Sequence, residues 1–139
     1  MSPVSEIAVC GLHLRGQALN HQLTALGAEF VRACRSSSAY RMYAITDAQR
    51  RTKPGMIKVN DGSGTSIYLE LFKLPTENVG RFLEQIPPPL GLGTLYLEDG
   101  GSVKGFICEG YVASANSGYE VEDITHLRSW LDFVKQQTS

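Results

Sequence analysis

One acidic side chain interrupts an otherwise apolar run, Ser66-Ile67-Tyr68-Leu69-Glu70-Leu71-Phe72-Lys73-Leu74. Read as a strand, the run puts Ile67, Leu69 and Leu71 on one face and Tyr68, Glu70 and Phe72 on the other. A carboxyl between two aromatic neighbours and away from water disfavours its charged form. Such a group would hold or take up a proton near neutral pH, which is what general acid–base chemistry needs. The other reading of the strand is that Tyr68, Glu70 and Phe72 simply face solvent.

A second constellation is Ala8-Val9-Cys10-Gly11-Leu12-His13-Leu14-Arg15-Gly16-Gln17-Ala18-Leu19-Asn20. A glycine at a strand end, followed by a loop into a helix, exposes main-chain N–H groups that can receive an anion. His13 would add a group that titrates near pH 7. A tight turn carrying an exposed histidine accounts for the same residues. Tyr40, Arg41 and Tyr43 could bring a phenol and a guanidinium to an anionic ligand, or be ordinary strand core and surface. Glu109, beside Cys108, is a second carboxyl, either buried as a partner or exposed at a strand end.

Other chemistries lack their residues. There is no GxGxxG or GxxxxGK[ST] run for nucleotide phosphate and no GxSxG elbow, and Ser36-Ser37-Ser38 reads as a polar break. Cys10, Cys34 and Cys108 are three, far apart and without CxxC spacing, so neither a disulfide framework nor a zinc site is expected. His13, His21 and His126 form no ligand pattern, and no metal or cofactor is expected. A formal charge of −1 with scattered Lys and Arg argues against nucleic acid. The basic cluster Arg50-Arg51-Thr52-Lys53 reads as a solvated connection. No stretch approaches the roughly 20 apolar residues of a membrane span. The first six residues lack a basic, then apolar, leader, so a cytoplasmic protein is expected.

These side chains must be positioned by the rest of the 139 residues, read as one domain over 1–139 with 42% hydrophobic and 19% charged content. Strands are predicted over 7–10, 28–35, 40–45, 56–59, 67–74, 92–97 and 103–108, with a further one at 111–113. Polar loop residues fill 46–54. The Asp61-Gly62-Ser63-Gly64 and 98–102 connections read as hairpin turns. Helices are predicted over 19–26, stopped by Gly27, over 76–86, ended by Pro87-Pro88-Pro89, and from an N-cap at Thr125 onward, with Leu127, Trp130, Leu131 and Val134 inward. Many hairpin-joined strands with three separated helices make an α+β fold: a largely antiparallel or mixed sheet, curled or barrel-like, with helices outside.

The residues that carry a family resemblance are now in place. Gly11 to Leu23, then Tyr40-Arg41-Met42-Tyr43, Leu69-Glu70-Leu71-Phe72-Lys73-Leu74-Pro75 and the run from Ile86-Pro87-Pro88-Pro89-Leu90-Gly91-Leu92-Gly93-Thr94 through Gly105-Phe106-Ile107-Cys108-Glu109 resemble the C-terminal domain of allophanate hydrolase. Glu122-Asp123-Ile124-Thr125 and Trp130 fit as well, so the likeness spans nearly the whole chain. More distantly, the opening strand–glycine–loop–helix resembles the gamma-glutamyl cyclotransferase-like fold, a small twisted barrel whose catalytic glutamate Glu70 matches by position.

The resemblance implies decarboxylation of N-carboxycarbamate, or a related carboxylated amide, after an amidase has removed ammonia. These residues contain no amidase. Glu70 would be the acid and base, with His13 helping to orient the carboxylates. Gly11, Leu12, Leu14 and Asn20 would bind the substrate, and Tyr40 or Arg41 its second anionic end. The expected partners are a small anionic substrate, an amidase subunit on a separate chain and a second copy in a homodimer, but no nucleic acid and no membrane. Two other readings stand beside it: a cyclotransferase using Glu70 to shuttle a proton, and a non-catalytic module docking on an amidase through Pro87-Pro88-Pro89-Leu90.

Overall fold

The computed structural model describes residues 3–138; the first two positions of the N-terminal reading above lie outside them. Among the described residues, eight strands, three short α-helices and three 3-10 turns follow one another. β1 (Val4–Val9), β2 (Glu29–Arg35), β5 (Tyr68–Pro75), β6 (Leu90–Tyr96) and β7 (Ser102–Cys108) form a five-stranded sheet in the order β2-β5-β1-β7-β6. β3 (Tyr40–Thr46), β4 (Thr52–Lys58) and β8 (Glu120–Asp123) form a second sheet in the order β4-β3-β8. All pairs are antiparallel except β1 with β7.

β1 is the centre of the large sheet, and its sequence explains why. Ile7-Ala8-Val9 is apolar without alternation, the pattern of a strand covered on both faces, and all three residues are buried. Both faces of β5 are covered as well: Leu69 and Leu71 pack on one, Glu70 and Phe72 are closed off on the other. The sheet curls until its two edge strands meet at one end. There Ser36 bridges Leu97, Ser37 N–H donates to the Tyr96 carbonyl at 2.9 Å, and Glu98 N–H donates to the Arg35 carbonyl at 3.0 Å. The fold is thus mixed α+β with a twisted, curled sheet, joined edge to edge at that end only.

α1 (Asn20–Thr24) and α2 (Val79–Glu84) are shorter than the predicted helices, each burying one large side chain, Leu23 and Phe82. Gly27 ends the first as expected, in the left-handed conformation at φ 85°. α3 (Trp130–Thr138) begins later than predicted, because Thr125 opens a 3-10 turn and its hydroxyl is bonded to Asp123 and Met42. Trp130 is buried as expected, joined by Phe133, while Leu127, Leu131 and Val134 are only partly covered.

Three strand expectations need correction. The Gly62–Gly64 connection is no hairpin: β4 and β5 lie in different sheets, and Gly64 sits so close to the Ser38–Tyr40 backbone that a side chain would not fit. The hairpin is β3–β4, so Thr52, Lys53 and Pro54 are strand rather than loop; Pro54 is tolerated because β4 is an edge. The segment around Tyr111 is a 3-10 turn, Gly110–Ala113, and the last strand is β8, Glu120–Asp123, exposed and with Val121 as its single apolar residue.

The two sheets come together at Gly11. A side chain there would run into the Pro54 ring, whose Cδ lies 2.6 Å from the position a Cβ would occupy. The end of β1 therefore seats directly on β4. Gly11→Ala is expected to lower stability by about 1–3 kcal/mol, the usual cost of overpacking a close contact, read as a lower urea midpoint with unchanged slope.

Candidate functional site

The loop over 10–19, between β1 and α1, carries the candidate residues, and a set of short bonds fixes its shape. Leu14 N–H donates to the Gly11 carbonyl at 3.0 Å, and Leu19 N–H to the Leu12 carbonyl at 2.8 Å. Asn20 Nδ2 donates to the His13 carbonyl at 2.9 Å, so Asn20 shapes the loop rather than lining a cavity. Leu14 is fully buried and plugs the loop into the core.

Glu70 sits beneath this loop and is 2% exposed. Arg15 N–H donates to its Oε1 at 2.9 Å, and Tyr68 O–H to its Oε2 at 2.7 Å. The Arg15 guanidinium completes the set, with Nε 3.4 Å from Oε1, while its plane lies 3.6 Å over the centre of the Phe30 ring. The carboxyl is buried, as the strand pattern suggested, but it is not the isolated group imagined there. Every partner in reach is a donor or a cation. The pairing raises the Arg15 pKa through its bond to Glu70, and burial followed by the bond to Glu70 raises that of Tyr68. Arg15 is half exposed, so water screens its side of the pair.

His13 lies on the other side of the loop. Its ring stacks on Phe106 (centroids 4.9 Å apart) and meets the Phe82 edge at 5.3 Å. Nε2 is 2.7 Å from Gln22 Oε1. With Nε2–H donating to that oxygen, Nδ1 keeps a lone pair in the neutral ring and becomes a donor on protonation. Burial lowers the His13 pKa from its ordinary 6.5, against the opposing bond from Gln22.

His13, Gly11 and Leu12 line a cavity of about 600 Å³. Its other walls come from Lys53 and Pro54 of β4, the 47–51 connection, Pro87 and Pro88, and Phe106 of β7. Glu70 does not line it, nor do Leu14, Asn20, Tyr40 and Arg41. Tyr40 is wholly buried and its hydroxyl accepts from Tyr96 N–H at 2.9 Å. Arg41 is engaged elsewhere, with Asp123, the Ser63 carbonyl and the Tyr43 hydroxyl. Glu109 is exposed at its strand end.

Sequence reasoning missed Lys53. The cluster Arg50 to Lys53, read as solvated, splits: Arg50 pairs with Glu120 and Arg51 with Asp47, whereas Lys53 faces the cavity and donates from Nζ to the Pro88 carbonyl at 3.1 Å. Burial lowers its pKa, partly offset by Asp47. Strand alternation across the β3–β4 hairpin was the only signal that could have found it, and Pro54 hid the strand. Pro87, Pro88 and Leu90 line the same cavity. Cys10 also lines it, and burial pushes its thiol up to about 12 and that of Cys108 to about 11. No described cluster of His, Cys, Asp or Glu could hold a metal, and no described helix is long and apolar enough to cross a membrane.

Residues 5–135 match the family described as the allophanate hydrolase C-terminal domain. The chain is 34% identical over 132 residues to urea amidolyase of Lachancea kluyveri, covering 95% of this chain but only 7% of that protein. Kluyveromyces lactis allophanate hydrolase superposes with a TM-score of 0.90 at 33% identity, over 97% of this chain and 22% of that one. A uropathogenic E. coli-specific protein superposes with a TM-score of 0.83 at 32% identity, over 96% and 97% of the two chains. A gamma-glutamyl cyclotransferase at 10% identity and a TM-score of 0.61 shares the fold.

The lowered pKa of His13 makes stability depend on pH. The unfolded ring takes up a proton near 6.5, and the folded ring only at lower pH, so between the two the unfolded state binds more protons. Stability is fully present above 6.5 and is lost as pH falls through that window. Thermal melts from pH 7.5 to 5 are expected to show this loss in the wild type and a smaller one in His13→Asn.

Proposed function

Since the chain belongs to the allophanate hydrolase C-terminal domain family, we propose that its 10–19 loop cavity removes CO2 from N-carboxycarbamate or a related carboxylated amide nitrogen. The observation that carries this reading is His13, a buried imidazole with Nε2 held by Gln22, lining a cavity that Lys53 enters from the opposite sheet. The substrate is a dianion, and binding it beside His13 favours the imidazolium over the neutral ring.

Lys53 holds one carboxylate, and the main chain at Leu12 and His13 receives the other. The bond between nitrogen and one carboxyl carbon then breaks and its electron pair stays on nitrogen. His13 passes its proton to that nitrogen as CO2 leaves, giving carbamate. The ring regains a proton from solvent for the next turnover. Burial keeps water from stabilising the separated charges, so the same proton transfer is worth more here than in solution.

Glu70 has a different part in this reading from the one its strand suggested. Its oxygens are occupied by Arg15 and Tyr68, and it reaches the cavity only through the loop it holds. It is a positioning residue: the Arg15 N–H bond keeps the loop turned so that His13 faces inward. The amidase step that would supply this substrate is not carried by these residues. The three free thiols suit a reducing, cytoplasmic setting.

The test is CO2 release from N-carboxycarbamate generated in situ by an amidase. His13→Asn is expected to lower kcat by about 10²–10⁴-fold, the range of a lost general acid. Lys53→Ala is expected chiefly to raise KM. Glu70→Gln, which can still accept from Arg15 N–H, is expected to keep kcat within about tenfold, below the loss an acid–base role implies. An unchanged rate in His13→Asn would sink the proposal. A folded Glu70→Gln protein without activity would return the acid role to Glu70.

A further inference from the structure

The cavity is larger than the substrate just named. N-carboxycarbamate has about seven heavy atoms, which fill roughly 200 Å³ if each takes the ~30 Å³ of a water molecule in the liquid. The cavity measures about 600 Å³. Its lining is also divided by chemistry. Apart from His13 and Gln85, the charged and amide side chains come from one short segment, 47–53. Leu12, Leu19, Pro54, Leu90 and Phe106 supply apolar wall, with no charge among them.

A small dianion would leave this wall facing water or empty space. Apolar surface of this extent gains little unless a ligand covers it. The wall is also built from parts that do not shift easily. Pro54 is locked against Gly11, and Phe106 is stacked on His13 and meets the Phe82 edge. Collapse of the cavity around a small ligand is therefore resisted by the same contacts that hold the catalytic loop.

We infer that the cavity accepts carboxylated amides whose nitrogen carries an alkyl or aryl substituent, the dianionic head lying toward His13 and Lys53 and the substituent against Leu12, Leu90 and Phe106. The inference rests on the proposed function for its head group and adds the apolar arm as a specificity element. Charge complementarity selects the head. Lys53 is in no ion pair among the described residues, whereas Arg51 in the same lining is paired with Asp47 at 3.1 Å.

Malonate, in which a methylene replaces the nitrogen, is a stable probe of the head, and butylmalonate and benzylmalonate add the arm. Calorimetric titration of the wild-type protein is expected to give at least tenfold tighter binding of benzylmalonate than of malonate, with butylmalonate between them. In Ala18→Phe, which places a ring at the cavity wall, the ratio of the two affinities is expected to fall toward one, with the fold checked by circular dichroism. If malonate binds and the substituted malonates bind no better, the apolar arm is wrong while the head-group site stands. If none of the three binds, the proposed function fails and takes this inference with it. If benzyl alcohol binds as tightly as benzylmalonate, the site is an apolar pocket without an anion head and the inference is likewise overturned.

Discussion

A buried carboxylate tied to the backbone of a loop organises this molecule. Glu70 stands in the middle of β5, where a charge without partners would be costly; Tyr68 of the same strand donates to it, and the Arg15 N–H and guanidinium are brought to it by the 10–19 loop. The loop in turn has few ways to be wrong. If it turned away, Glu70 would be left buried with Tyr68 alone. The cost of that state, rather than the strength of any one surface ion pair, holds the loop in place. Arg15 N–H, two residues after His13, is the point where this constraint passes to the cavity.

The second constraint is steric and comes from the other sheet. Gly11 lets Pro54 approach the end of β1, so β4 delivers Lys53 to the space beside His13. The cavity is consequently a junction between sheets and not a feature of either one. Phe106 from β7 and the Pro87-Pro88 segment close its remaining sides. A rigid surround of this kind suits chemistry in which a proton must reach one atom while water is kept away.

The different surroundings of His13 and Glu70 follow from which side of the loop each occupies. Both were candidates because both are titratable groups in apolar surroundings. One has a nitrogen left for a ligand beside a cavity, and the other has its oxygens committed. Longer relatives share the domain: the chain covers 7% of urea amidolyase of Lachancea kluyveri and 22% of Kluyveromyces lactis allophanate hydrolase.

Much of the architecture was legible from local pattern. The unbroken Ile7-Ala8-Val9 run announced a strand, Gly27 a helix stop, and the turn at 98–102 a true hairpin, because each depends on neighbours in sequence. The strand pattern left Glu70 either buried or facing solvent, and the structure buries it. What only the tertiary structure decided was which strands pair and which side chains meet. β4 left the sheet that its glycine turn suggested, Lys53 moved from solvent to the cavity, and Tyr40 and Arg41 turned out to be committed to core and surface partners. The reason is physical: alternation tells a residue's face but not what the face is pressed against. That is set by contacts between segments tens of residues apart, and no short stretch of sequence contains them.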